Sequence, residues 1–161
     1  MENKINFIDL NRQYKLIENS INKDIISVLN NSNFILGKQV SELESKLARY
    51  VGVKECVSCA SGTDALLIPL MAEKIGKGDA IFTTNFSFFS TVEVISLVGA
   101  TPVFVDIDSK TFNIDPNLLE KEIIHVLNKG VLIPRAIIAV DLFGQLANYS
   151  KIEKIAKKYN L

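Results

Sequence analysis

The stretch Val53-Lys54-Glu55-Cys56-Val57-Ser58-Cys59-Ala60-Ser61-Gly62-Thr63-Asp64-Ala65-Leu66 decides how the chain is read. A short apolar run, a turn of small residues and a segment with helical spacing follow one another, and predict a strand, a tight turn and a helix. Such a turn leaves backbone N–H groups free at a helix N-terminus, where a phosphate can sit. Ser61 suits the N-cap, and Asp64 three residues later completes a capping-box pattern. On its own the motif favours a plain capped turn over a phosphate cup.

Working outward, alternation of strand and helix begins after Gly52. Strands are expected at Cys56–Cys59, Ala80–Thr84, Pro102–Ile107 and Ala136–Asp141, and helices at Thr63–Lys74, Phe88–Leu97, Pro116–Asn128 and Ser150–Tyr159. Gly76, Gly78, Gly99 and Gly130 punctuate them, and Asp115-Pro116 is an N-cap followed by proline at the first helical position. Short, apolar, β-branched strands separated by helices imply a parallel sheet covered on both faces. Pro69 breaks a local rule, because proline inside a helix costs on the order of 3 kcal/mol. Upstream, residues 5–10 read as an extended lead-in. An amphipathic helix follows at Gln13–Leu29, then an apolar loop at Phe34–Gly37, then a second helix from Gln39 with Gly52 as its stop. The division is therefore an N-terminal helical segment, 1–52, and an α/β domain, 53–161.

Composition narrows the function. The 161 residues are 48% hydrophobic with equal numbers of basic and acidic side chains, 18 of each, and a mean hydropathy of +0.22. That balance suits a globular core and gives no basic patch for nucleic acid or an acidic membrane. A neutral, rather apolar chain is expected to cover surface by self-association. The start Met1-Glu2-Asn3-Lys4-Ile5-Asn6 has no apolar signal core, and no apolar run nears the ~20 residues of a membrane span. The expectation is a soluble, cytoplasmic chain. Cys56 and Cys59 form a C-x-x-C, but with Cys56 in a strand the two side chains point to opposite faces. No second Cys or His pair accompanies them, so neither redox nor zinc chemistry is supported, and both are expected as buried small residues. Asp106 and Asp108 read as a solvated turn rather than a metal site, and His125, the only histidine, as a surface residue.

Four blocks in order carry a resemblance. FILGKQVSELESKLARYVGVKECVSCASGTDALLI (residues 34–68), GKGDAIF (76–82), STVEVISLVGATPVFVDIDSKTFNID (90–115) and VDLFGQLANYSKIEKIAKKY (140–159) follow the pattern of the DegT-type sugar aminotransferases. The resemblance is to their N-terminal part, and within the family to members acting on UDP- or dTDP-linked keto sugars. It implies a pyridoxal-phosphate enzyme of the fold-type I aminotransferase class. The expected fold is a three-layer α/β/α arrangement with a mostly parallel sheet, an incomplete large domain. It further implies a nucleotide-sugar substrate, an amino-acid donor such as glutamate, and a homodimer.

The resemblance also implies roles. The amides and hydroxyls of Ser61, Gly62 and Thr63 would hold the cofactor phosphate, with Asp64 turned back to cap the helix at Ser61. Phe88 would stack on the cofactor ring, with Phe86 and Phe89 as rivals, and Gln145 would touch cofactor or sugar or brace its loop. Asn148 stands where the family commonly has aspartate. No lysine occupies the position of the Schiff-base lysine, and the carboxylate that pairs with the pyridinium nitrogen has no counterpart. The chain stops at Lys157-Lys158-Tyr159-Asn160-Leu161 where the motif calls for another strand. The expectation is a truncated N-terminal half with no catalytic residue, no metal, and weak or absent cofactor binding. A non-catalytic phosphate-binding or assembly module, or one half of a split enzyme, is the alternative.

Overall fold

The computed structural model describes residues 7–161 and divides into two compact units, one ending at Ser58 and one spanning Cys59–Leu161. Residues 5 and 6 of the expected lead-in lie outside the described residues.

The first unit holds two helices. α1, Leu10–Asn31, is capped by Asp9, whose carboxylate accepts from the Arg12 amide at 3.1 Å. It buries none of its residues; Leu16, Ile17, Ile21, Ile25 and Leu29 all remain exposed. α2, Lys38–Val51, ends at Gly52 in the left-handed conformation, as the sequence predicts. After it, the Ser58 amide and hydroxyl donate to Glu44 Oε1 at 2.8 and 2.7 Å, which holds the Glu44 carboxyl below its ordinary value.

The second unit is α/β. Its elements are α3 (Gly62–Ala72), β1 (Asp79–Thr83), α4 (Ser90–Leu97), β2 (Thr101–Phe104), α5 (Pro116–Lys129), β3 (Ile133–Ile137), a one-turn 3₁₀ segment (Leu142–Gly144) and α6 (Tyr149–Tyr159). The three strands are parallel in the order β2-β1-β3. β1 is central, and its side chains alternate between two cores, as the period of a strand requires. Ala80 and Phe82 join Leu119, Ile123, Val126, Ile152 and Ile155 of α5 and α6. Ile81 joins Leu70, Val94 and Ile95 of α3 and α4. The result is the expected three layers, with Ala80, Ile81 and Phe82 fully buried between them. Asp115 caps α5 by accepting from the Asn117 and Leu118 amides, and Gly130 stops it in the left-handed conformation.

Three expectations are corrected. Residues 53–60 form no strand: an apolar run becomes a strand only where a neighbour takes up its N–H and C=O groups, and here none of the described residues pairs with it. The cysteines are accordingly not core residues; Cys56 is half-buried and Cys59 exposed. The fourth expected strand begins earlier, at Ile133, and ends at Ile137. Pro134 lies within it, where the pairing with β1 shifts register between Ala80 and Ile81 and passes over Arg135; a bulge lets the ladder absorb a residue that cannot donate. Pro69 does not break α3, which runs through it with both Ala65 and Pro69 on the exposed side, where water can reach the carbonyl left without a donor. β3 presents its other edge to an apolar groove of about 450 Å³ lined by residues such as Leu66, Pro69, Ala136, Ile138 and Tyr149.

Candidate functional site

α3 ends at Ala72, seven residues before β1 begins, and packs on the sheet. Its 11 residues rise ~16 Å, matching the ~16 Å that the five residues of β1 span. Its N-terminus therefore returns to the carboxyl end of β1. α4 begins a few residues after that same end, and the loops after β2 and β3 leave the sheet there too. In parallel α/β sheets this is the edge where ligands gather.

At the N-terminus of α3, Ser61 is extended and its Oγ accepts from the Asp64 amide at 3.1 Å. The same hydroxyl donates to Asp64 Oδ2 at 3.0 Å, so the carboxylate does turn back onto the cap. It takes the Ser61 hydroxyl rather than the backbone N–H of a full capping box. The Ala65 amide donates to the Ser61 carbonyl at 3.0 Å. The amides of Gly62 and Thr63 are among the donors that the helix start leaves over, and neither has a partner among the described residues. A Cβ built on Gly62 would meet no atom within 4 Å. Packing thus does not require glycine there, and the open backbone is free for close approach by a ligand. Thr63 is half-buried beside it.

The segment after β1 is fixed by hydroxyls. Thr84 Oγ1 accepts from the Phe86 amide at 3.1 Å, while Ser87 Oγ donates to the Phe88 carbonyl at 3.2 Å and meets Thr91 Oγ1 at 2.7 Å. Ser90 and Thr91 are buried, anchoring the start of α4, which begins two residues later than expected. The rings of this segment differ. Phe86 packs against Phe112 with centroids 5.9 Å apart, whereas Phe88 and Phe89 are 77% and 73% exposed. Phe88 and Phe89 are thus the rings left available for a planar ligand.

Gln145 is exposed in the loop after β3, and its carbonyl accepts from Asn113 Nδ2 at 2.9 Å. The Leu142 amide donates to Asn113 Oδ1 at 3.0 Å. Between these two tethers stands Phe143, at φ 56° and ψ 19°, a left-handed conformation that costs a bulky residue about 1–3 kcal/mol. Its ring meets Phe112 edge-on at 6.4 Å, and Phe112 is itself left-handed at φ 60°. A line of rings, Phe86–Phe112–Phe143, therefore joins the segment of Phe88 to the turn of Gln145. Asp141 Oδ1 closes the loop by accepting from the Ala147 amide at 2.8 Å. Burial and then the nearby Asp141 carboxylate raise the Tyr149 phenol above its ordinary value.

The sequence names Ser61, Gly62, Thr63, Phe88 and Gln145. It does not single out Asn113, 3% exposed, or the aromatic line that accompanies it. The available signal is a lone carboxamide between Phe112 and Ile114, a polar residue where an apolar one would be cheaper to bury. Asp106 and Asp108 do form a turn. Asp108 Oδ1 accepts from the Thr111 and Lys110 amides, which hold its carboxyl below the ordinary value. No cluster of metal-ligating side chains occurs among the described residues. His125 is exposed on α5.

Comparison with known proteins follows the same lines. A UDP-2-acetamido-2-deoxy-3-oxo-D-glucuronate aminotransferase of Pseudomonas aeruginosa is 46% identical over 159 residues, covering 98% of this chain and 42% of that protein. The crystal structure of a DegT DnrJ EryC1 StrS aminotransferase from Brucella abortus superposes with a TM-score of 0.96 at 46% identity, again over 98% of this chain and 42% of that one. Ntda from Bacillus subtilis, solved with bound cofactor PMP, gives 0.84 at 28% identity over 100% of this chain and 36% of that one. The chain spans about two-fifths of the length of the relatives it matches. The sequence pattern of one family matches residues 15–161, and the chain belongs to that family, the DegT/DnrJ/EryC1/StrS aminotransferases.

Proposed function

We propose that this chain supplies the cofactor-phosphate cup and the ring-stacking wall of a pyridoxal-phosphate-dependent transamination. The reaction moves an amino group, with glutamate as donor, onto a keto sugar carried on a nucleotide for cell-surface polysaccharide. The carrying observation is the pair of unclaimed amides of Gly62 and Thr63 at the open N-terminus of α3. The family and the relative that acts on a UDP-linked sugar support the substrate class.

The residues present fit the phosphate end of the cofactor. Two amides lie free at a helix N-terminus among the described residues, no side chain fills the space over Gly62, and the Asp64 charge is held on the Ser61 hydroxyl. Gly62 and Thr63 hold the phosphate, Ser61 shapes the cup, Phe88 covers a ring face, and Gln145 orients the cofactor or the sugar from the loop after β3. When bound, pyridoxal phosphate supplies the electron sink through which an amino group is exchanged. We assign none of residues 1–161 the role of Schiff-base lysine or of acid at the ring nitrogen. Binding by these residues alone is accordingly weak. We place the protein in the cytoplasm as a homodimer; no described helix is long and apolar enough to cross a membrane.

Titration of the purified chain with pyridoxal phosphate, followed by borohydride, tests this reading. The expected result is reversible binding that inorganic phosphate displaces, with no lysine fixed. Binding indifferent to phosphate, or no binding, overturns the cup. Stoichiometric fixation at one lysine overturns the assignment of the reacting group outside these residues.

A further inference from the structure

The turn Leu142–Gln145 is built against its own backbone preference. Phe143 and Gly144 are both left-handed, at φ 56° and 81°. Glycine adopts that region freely, but a bulky residue does so only where its surroundings over-determine it. Two backbone bonds close the turn, from the Gly144 amide to the Asp141 carbonyl at 3.1 Å and from the Gln145 amide to the Leu142 carbonyl at 3.0 Å; beyond them the surroundings supply one side chain and one ring. The carboxamide of Asn113, 97% buried by its 3% exposure, spans the turn. Its oxygen accepts from the Leu142 amide before Phe143, and its nitrogen donates to the Gln145 carbonyl after it. Only one orientation of the amide satisfies both bonds, since a flip sets N–H against N–H and oxygen against oxygen. Aspartate lacks the donor and serine is too short for both reaches. Phe112, the residue before Asn113, meets the Phe143 ring at 6.4 Å and the Phe86 ring at 5.9 Å.

We propose that Asn113 is a positioning residue of the cofactor site. It touches neither cofactor nor sugar; it holds the strained turn so that the Phe143 ring and Gln145 are presented at the carboxyl edge of the sheet. This rests on the cofactor reading given above. The consequence is that Asn113 matters to binding only through Phe143 and Gln145.

Pyridoxal phosphate affinity of the whole chain, read by absorbance titration, tests the coupling in a mutant cycle. N113D and N113S are each made in the wild-type background and in the F143A/Q145A background; circular dichroism identifies which of the two folds, and one folded variant suffices. In the wild-type background the affinity falls about fivefold to tenfold, on the order of one well-placed contact. In the F143A/Q145A background the same substitution changes it less than twofold. Equal losses in both backgrounds, or none in either, overturn the role of Asn113 and leave the cofactor reading standing. Failure of the wild-type chain to bind pyridoxal phosphate overturns the cofactor reading, and this role with it. Failure of both variants to fold makes Asn113 a core residue of the fold and overturns positioning as its role.

Discussion

Two turns at the carboxyl edge of the sheet are held in opposite ways. The Ser61–Asp64 turn is held from within: serine caps the helix, the aspartate three residues on takes its hydroxyl, and the next two amides are left over for something else. The Leu142–Gln145 turn adds to its two backbone bonds a hold from outside, by a carboxamide 29 and 32 residues away in sequence, and it carries a left-handed phenylalanine. The first turn is relaxed and open, and the second strained and tethered. A site assembled from both gains free donors from one and a fixed side-chain direction from the other. The difference teaches that local capping suffices to leave a binding group vacant, whereas aiming a side chain requires a tertiary tether.

That contrast can be broken at its strongest point first. Asn113→Leu removes both tethers from a buried position, and the expected loss is about 2–4 kcal/mol of unfolding free energy, read by urea denaturation. Ser61→Ala removes one exposed cap and is expected to cost about 1 kcal/mol on the same scale. Equal losses in the two variants erase the distinction between a tertiary and a local device.

Much of the α/β unit is legible because its signals are local. Asp115-Pro116 starts α5, Gly130 ends it, and the apolar run of β1 announces a strand buried on both faces. The failures share a cause. Residues 53–59 have the composition of a strand, but a strand is a pairing, and the partner is not visible from the run itself. The strand expected at Ala136–Asp141 begins earlier because a bulge beside Arg135 lets Pro134 sit inside β3. The capped N-terminus of α3 is legible for the reason α5 is, since a cap and the amide it satisfies lie within four residues. Asn113 is not, because the groups it satisfies are set by the fold; nor is the left-handed backbone of Phe143, which sequence would assign to glycine.

Smaller effects sharpen the account. Phe143→Gly keeps the conformation and removes the strain along with an 83% exposed ring. Thermal unfolding is expected to show a gain of no more than about 1 kcal/mol, and a loss above that size means the ring contributes more packing than its exposure suggests. The smallest effect concerns pH. The Thr111 and Lys110 amides hold the Asp108 carboxyl below its ordinary value in the folded protein. Its contribution is fully present above the unfolded value, and is lost as pH falls from there through the lower folded value. Asp108→Asn should flatten the acid limb of stability against pH slightly; a steeper limb contradicts the assignment.

The central claim is that the amides of Gly62 and Thr63 hold the cofactor phosphate, and Gly62→Val tests it most directly. A valine side chain there meets no atom within 4 Å at its Cβ, and the backbone is not left-handed, so stability is expected to stay within about 0.5 kcal/mol of wild type. Affinities for pyridoxal phosphate and for pyridoxal, which lacks the phosphate, are compared in both proteins. Valine is expected to weaken pyridoxal phosphate binding about tenfold and to leave pyridoxal binding unchanged. Equal affinity of the two proteins for pyridoxal phosphate, at unchanged stability, contradicts it.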